Sequence, residues 1–204
     1  MSTTIRPQGP RARRVGLVTG LIAAVALSLV PAAVSSSASA AAPYCGITWG
    51  SRTKQDNDHT TARITNLRAG RHECFDRLVV DLGVPISGLS GPQDEGFNIY
   101  YVDSFVDDPS GEPVPLAGGA FIEIIVNAAA HDDNFNPTYR PADRDRAVNV
   151  DGFSTFRQVA FRGTHEGLTQ IGLGVRARLP FRVFVLDGPG GGSRVVIDVA
   201  HRWS

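Results

Sequence analysis

RLVVDL at residues 77–82 and RVVIDV at residues 194–199 share one pattern: Arg, three aliphatics, Asp, aliphatic. Five or six residues rich in Val and Leu, bounded by charge, are strand-length, too short for an amphipathic helix. In a strand, successive side chains point to opposite faces. Leu78, Val80 and Leu82 then share one face, as do Val195, Ile197 and Val199, and both sets are purely aliphatic. These faces are expected to meet the core. Arg77, Val79 and Asp81 share the other face of the first segment; Arg194, Val196 and Asp198 share that of the second. If the segments are antiparallel neighbours, Arg77 sits across from Asp198 and Asp81 across from Arg194, pairs worth roughly 0.2–1 kcal/mol each. The alternative is a symmetric domain in which the two segments occupy equivalent places. Neither aspartate has an acid partner or a histidine at fixed spacing, so both read as structural.

The other apolar runs are of the same kind: FNIYYV (97–102), AFIEIIVNA (120–128), FRQVAF (156–161), LTQIGLGV (168–175) and FRVFVLD (181–187). After the leader there is no convincing amphipathic window with apolar residues at i, i+3, i+4 and i+7. The expected class is all-β, a sandwich or barrel. Gly163–Gly167 reads as a five-residue hairpin loop with glycine at both ends, and Gly188–Ser193 joins the last two strands. The stretch 129–152 is long, contains Pro137 and Pro141, and has no apolar run. Loops of that length in a domain are commonly functional.

Residues 6–14 (RPQGPRARR) are basic, residues 15–34 are almost wholly apolar, and SSSASAAAP follows. That is the layout of a secretory signal, with Ala38-Ser39-Ala40 or Ala40-Ala41-Ala42 at the exit. An uncleaved anchor is the alternative, since about twenty apolar residues span a bilayer; Pro31 and the small-residue tail favour cleavage. Membrane contact is then limited to the signal segment before cleavage. Arg13-Arg14 lacks the bulky residues of a twin-arginine signal, and Cys45 lacks the context of a lipid anchor. The chain divides into a signal peptide at 1–40, an exposed polar segment at 41–63 and a β-sandwich domain at 64–204. Four of the 20 basic residues lie in the leader, leaving 16 against 20 acids, a net charge of −4. A mildly acidic domain offers no nucleic-acid footprint. In an oxidising compartment, Cys45 and Cys74 read as a disulfide.

The tail LPFRVFVLDGPGGGSRVVIDVAHRW resembles the C-terminal strand pair of AMIN-type domains. CFDRLVVDL, PVPLAGGA, NPTYRP, RQVAFRGTHEG and LGVRARLPFRVFVLDG together resemble the AMIN-like domain of exported bacterial proteins, over about residues 45–204. The resemblance implies a β-sandwich of two small, similar sheets. It also implies a secreted, cell-wall-associated binding module of the envelope, since AMIN domains are associated with envelope targeting and with peptidoglycan binding. The partner would be a wall glycan or peptide, or an envelope protein.

Enzymatic signatures are missing from the sequence. His72-Glu73 is followed by Asp at 76, so the H-E-x-x-H metal motif fails, and no serine sits in G-x-S-x-G. The expectation is no enzyme, no metal and no cofactor, with a wall hydrolase using a dispersed carboxylate pair as the catalytic alternative. His131-Asp132-Asp133-Asn134-Phe135-Asn136 is the densest oxygen cluster, readable as a calcium loop or as Asx turns. In the same loop Phe135, Tyr139 and Arg140 are the candidate ligand-binding residues. The rings would stack on sugar faces and the guanidinium would attract wall-peptide carboxylates. The competing reading has both rings plugging the loop onto the sandwich.

Overall fold

A computed structural model describes residues 42–86 and 95–203. The expected leader at 1–40 lies outside the described residues. Nine strands form two antiparallel sheets packed face to face: β1 (Lys54–Asp56), β2 (Ile64–Arg71), β3 (Phe75–Leu82), β4 (Phe97–Val102), β5 (Ala120–Val126), β6 (Phe156–His165), β7 (Leu168–Val175), β8 (Phe181–Asp187) and β9 (Ser193–Ala200). The first sheet runs β1-β4-β5-β7-β6 and the second β2-β3-β9-β8. The described residues contain no α-helix, only 3-10 turns at Tyr44–Gly46 and Pro189–Gly191. The protein is an all-β sandwich.

The two hexapeptides are antiparallel neighbours, β3 and β9, in the anticipated register: Arg77 faces Asp198 and Asp81 faces Arg194. Leu78, Val80, Leu82, Val195, Ile197 and Val199 all enter the core between the sheets. Only one of the two charge pairs forms directly across. Arg77 binds Asp198 at 2.6 Å. Asp81 turns instead to Arg68 on β2, which donates to both its oxygens at 2.8 and 2.9 Å. Arg194 folds back to the carbonyl of Asp187. Arg68 faces Val79, so it is the diagonal neighbour of Asp81, within reach of a long side chain.

Two further differences from the sequence reading have local causes. β2 lacks a clean alternation: only Ile64 and Leu67 are buried, and a bulge between Ile64 and Asn66 shifts the phase. The β6–β7 loop is a two-residue turn, not five, because His165 pairs with Leu168. Glu166 and Gly167 both take positive φ, 50° and 82°, as the primed turns that match strand twist require. In the polar segment 41–63 most side chains face solvent, yet Ile47 and Ala62 are buried and Lys54–Asp56 pairs with β4. A three-residue edge strand needs only backbone pairing, so no apolar period announces it.

The outer face of the first sheet is covered. Phe105, 2% exposed, lies on Gly172, where a Cβ would come within 2.6 Å of its ring. Gln170 ties the same loop by donating to Val106 O and accepting from Asp108 N–H. At one end of the sandwich, fully buried Asp76 accepts the N–H groups of Thr155 and Phe156 at 2.5 and 3.0 Å, joining β3 to the start of β6.

Cys45 and Cys74 form a disulfide across 29 positions, as expected. It fastens the N-terminal turn to the β2–β3 connection. Closing a loop of that length contributes about 3–4 kcal/mol in the chain-entropy model. Reduction is therefore expected to lower the midpoint of thermal unfolding by roughly 10 °C, read by circular dichroism with and without reductant.

Tyr101 clamps the β7–β8 connection: its hydroxyl donates to Leu179 O at 2.8 Å and accepts Leu179 N–H at 2.9 Å. Burial raises its pKa to about 12. Burial and then the nearby Glu123 charge raise that of Tyr100 to about 12. The unfolded chain releases these protons near pH 10 while the folded chain keeps them. Stability is thus expected to be flat below about pH 10 and to fall between 10 and 12. Urea unfolding across that range measures the fall, and the Tyr100→Phe, Tyr101→Phe double variant is expected to flatten it.

Candidate functional site

The long segment 129–152 folds back along β6 and encloses a groove of about 600 Å³. The size suits a ligand site. Its base is stitched by hydroxyls. Ala130 N–H donates to Thr164 Oγ1 at 2.8 Å, Thr164 meets Thr169 at 2.7 Å, and Thr169 donates to Ala128 O at 2.6 Å. Thr138 adds a bond from its N–H to Ala130 O and one from its hydroxyl to Ile64 O. The segment's far arm covers the free edge of β6, with Ala147 N–H donating to Val159 O and Phe161 N–H to Arg144 O.

The tip of the loop is organised by Asp132. Its Oδ1 accepts the N–H groups of Asn134 and Asn136 at 2.8 and 2.9 Å, and its Oδ2 accepts the Asn136 amide at 2.9 Å. Those bonds, the side-chain one first, hold its carboxyl below the ordinary range. HDDNFN is therefore an Asx-turn tip. Arg63 pins it from β2's approach through an ion pair to Asp133 at 2.5 Å. Among the described residues, no cluster of three or more His, Cys, Asp or Glu is arranged to hold a metal ion.

Phe135 stands at the summit of this turn with φ of 62°, a left-handed conformation. That backbone costs a residue with a Cβ about 1–2 kcal/mol. The residue is 79% exposed, and its ring rests one side against His131, with ring centres 5.0 Å apart. Strain and exposure fall on one residue, and burial offsets neither.

Phe135, Tyr139 and Arg140 all line the same groove. Tyr139 forms a half-buried wall, edge-on to Phe161 at 5.0 Å, with its hydroxyl donating to Ala147 O at 3.4 Å. Burial raises its pKa above the usual value. Tyr139 therefore does part of what the plug reading required, while Phe135 does none of it. Arg140 is exposed at the rim. The sequence reading missed His131, Arg144, Phe161 and Thr164 as lining residues. Arg144 crosses the groove wall, donating from Nε to Phe161 O at 3.3 Å and from Nη2 to Arg162 O. Phe161 and Thr164 gave no signal beyond the strand pattern of β6. The groove sets apolar ring faces from Phe135, Tyr139 and Phe161 beside the guanidiniums of Arg140 and Arg144.

Asp81 and Asp198 do not meet in a cleft. Asp198 is fully buried under Arg77 and Arg182, and Asp81 is tied to Arg68. Comparison with known proteins adds one match: a model of a described domain family, the AMIN-like domain, aligns with residues 62–201. No curated protein and no solved structure matches the chain.

Proposed function

The chain belongs to the AMIN-like domain family, and from that premise we propose that it is a secreted, cell-wall-associated binding module whose groove recognises a wall glycan or its peptide without covalent chemistry. The observation that carries this reading is Phe135: an apolar ring held out in water by strained backbone, above a groove walled by a second aromatic. Strained residues that folding does not reward concentrate where ligands bind. A sugar laid on the Phe135 ring would present hydroxyls to the Arg140 and Arg144 guanidiniums and to neighbouring carbonyls. Stem-peptide carboxylates would be served by the same arginines. Export is supported by the basic, apolar and small-residue order of residues 1–40 and by the disulfide. Among the described residues no helix is long and apolar enough to cross a membrane.

Co-sedimentation with purified peptidoglycan tests the reading. The protein is expected to pellet with the wall, the Tyr139→Ala variant to stay in the supernatant, and no soluble muropeptide to be released. Release of sugar or muropeptide would make the protein a hydrolase. Neither binding nor release would leave a protein-interaction domain.

A further inference from the structure

We infer that the arginine-lined outer face of the second sheet is a separate binding surface, built for a phosphate-bearing polyanion. The loop through Phe105 covers the outer face of the first sheet; on the outer face of the second, Val79, Val196 and Asp198 are buried while Arg68, Arg77 and Arg182 stay partly exposed. The alternation that sends Leu78 and Val80 inward sends Arg77 and Val79 outward, and the register places Arg68, Arg182 and Arg194 on the same side. Four arginines thus share one face with two aspartates, Asp81 and Asp198, an excess of two positive charges, whereas residues 41–204 carry a net charge of −4. Charge of the opposite sign to the rest of the domain gathers an anionic ligand to this one face.

The guanidiniums are fixed in advance. Arg182 is stacked between Trp49, 4.4 Å from its ring centre, and Phe184, at 4.9 Å. Arg77 lies 5.3 Å from Phe75 and 5.4 Å from Phe184. Both converge on Asp198 through Nε and Nη2. Arg68 uses the same two nitrogens on Asp81, and Arg194 on the Asp187 carbonyl. Among the described residues, none of the four Nη1 groups bonds to protein, so each arginine keeps a donor for a ligand. Side chains held this way lose little further entropy on binding. Arg68 and Arg194 also line a cavity of about 400 Å³, together with Asp81, Asn66, Thr65 and Ser193. The arginines lie on four strands in rows two residues apart, so a ligand must accept hydrogen bonds from several directions. Tetrahedral phosphate does that; a planar carboxylate is served by one guanidinium fork.

Inorganic polyphosphate at about 0.15 M salt is the probe, with linear polyglutamate of matched charge as comparator. Arg182→Gln leaves Asp198 its Arg77 partner, and Arg194→Gln leaves no carboxylate unpaired, so the double variant is expected to fold, as its thermal unfolding will show. Polyphosphate is expected to bind the protein and to bind the double variant at least tenfold more weakly. The salt slope of binding is expected to fall by about two, one per lost phosphate contact. Arg140→Gln, in the groove, is expected to change neither. Undiminished binding in the double variant, or polyglutamate bound as tightly as polyphosphate, overturns the inference.

Discussion

Asp198→Ala is expected to destabilise the protein by about 3–5 kcal/mol, lowering its unfolding midpoint by roughly 10 °C or more. Asp198 has no exposed surface, and its two oxygens take Arg77 at 2.6 Å and Arg182 at 2.8 Å. Truncation leaves two half-buried guanidiniums with no charge between them and strips both of their bonds at the centre of the β3–β9–β8 pairing. The Asp198 hydrogen bonds hold the Arg77 pKa above its ordinary value; without them the guanidinium still keeps its proton and is left as an unpaired charge. Arg182→Ala is expected to cost much less, because Asp198 keeps Arg77. Asp81→Ala is also expected to be mild, since its arginine partner is about half exposed and such pairs contribute about 0–1 kcal/mol. Chemical denaturation of the three variants gives this ranking; equal losses at Asp81 and Asp198 would refute it.

Phe135→Asn is expected to move stability and binding in opposite directions. Asparagine tolerates the left-handed backbone that phenylalanine resists, and a residue 79% exposed contributes little burial. Stability is therefore expected to rise by about 1 kcal/mol. Binding to peptidoglycan is expected to fall by about tenfold or more, the loss of an aromatic anchor being worth at least ~1.4 kcal/mol. A ring that merely plugged the loop would give a loss of stability and no change in binding. Thermal unfolding and co-sedimentation on the same preparations separate the two.

The sandwich was legible because the hexapeptides carry their faces openly. Leu78, Val80 and Leu82 are as aliphatic as Val195, Ile197 and Val199, and a shift of one residue would have turned all six to solvent. That constraint made the β3–β9 register readable from one-dimensional pattern. The partner of Asp81 was not readable, because Arg68 sits on β2, an edge strand whose bulge hides its period. Gly172 and Gly174 alternate within LTQIGLGV, and strand glycines mark close backbone approach; that clue would have revealed the loop lying over the first sheet. Within the groove, Phe135, Tyr139 and Arg140 were legible as a group because they lie in one loop. Arg144 acts through its contacts with β6 carbonyls, and Phe161 and Thr164 belong to β6 itself, so only the folded chain brings them alongside. The strain at Phe135 depends on the Asp132 turn beneath it and leaves no mark in composition.

Wall-fragment binding in the groove is tested most directly by titrating soluble muropeptides into isotopically labelled protein and following backbone amide shifts. Saturable shifts confined to residues 130–144 and 161–164 are expected, lost in Phe135→Asn, with the muropeptides recovered intact. Shifts centred elsewhere on the sandwich, or cleavage of the added fragments, would contradict that expectation.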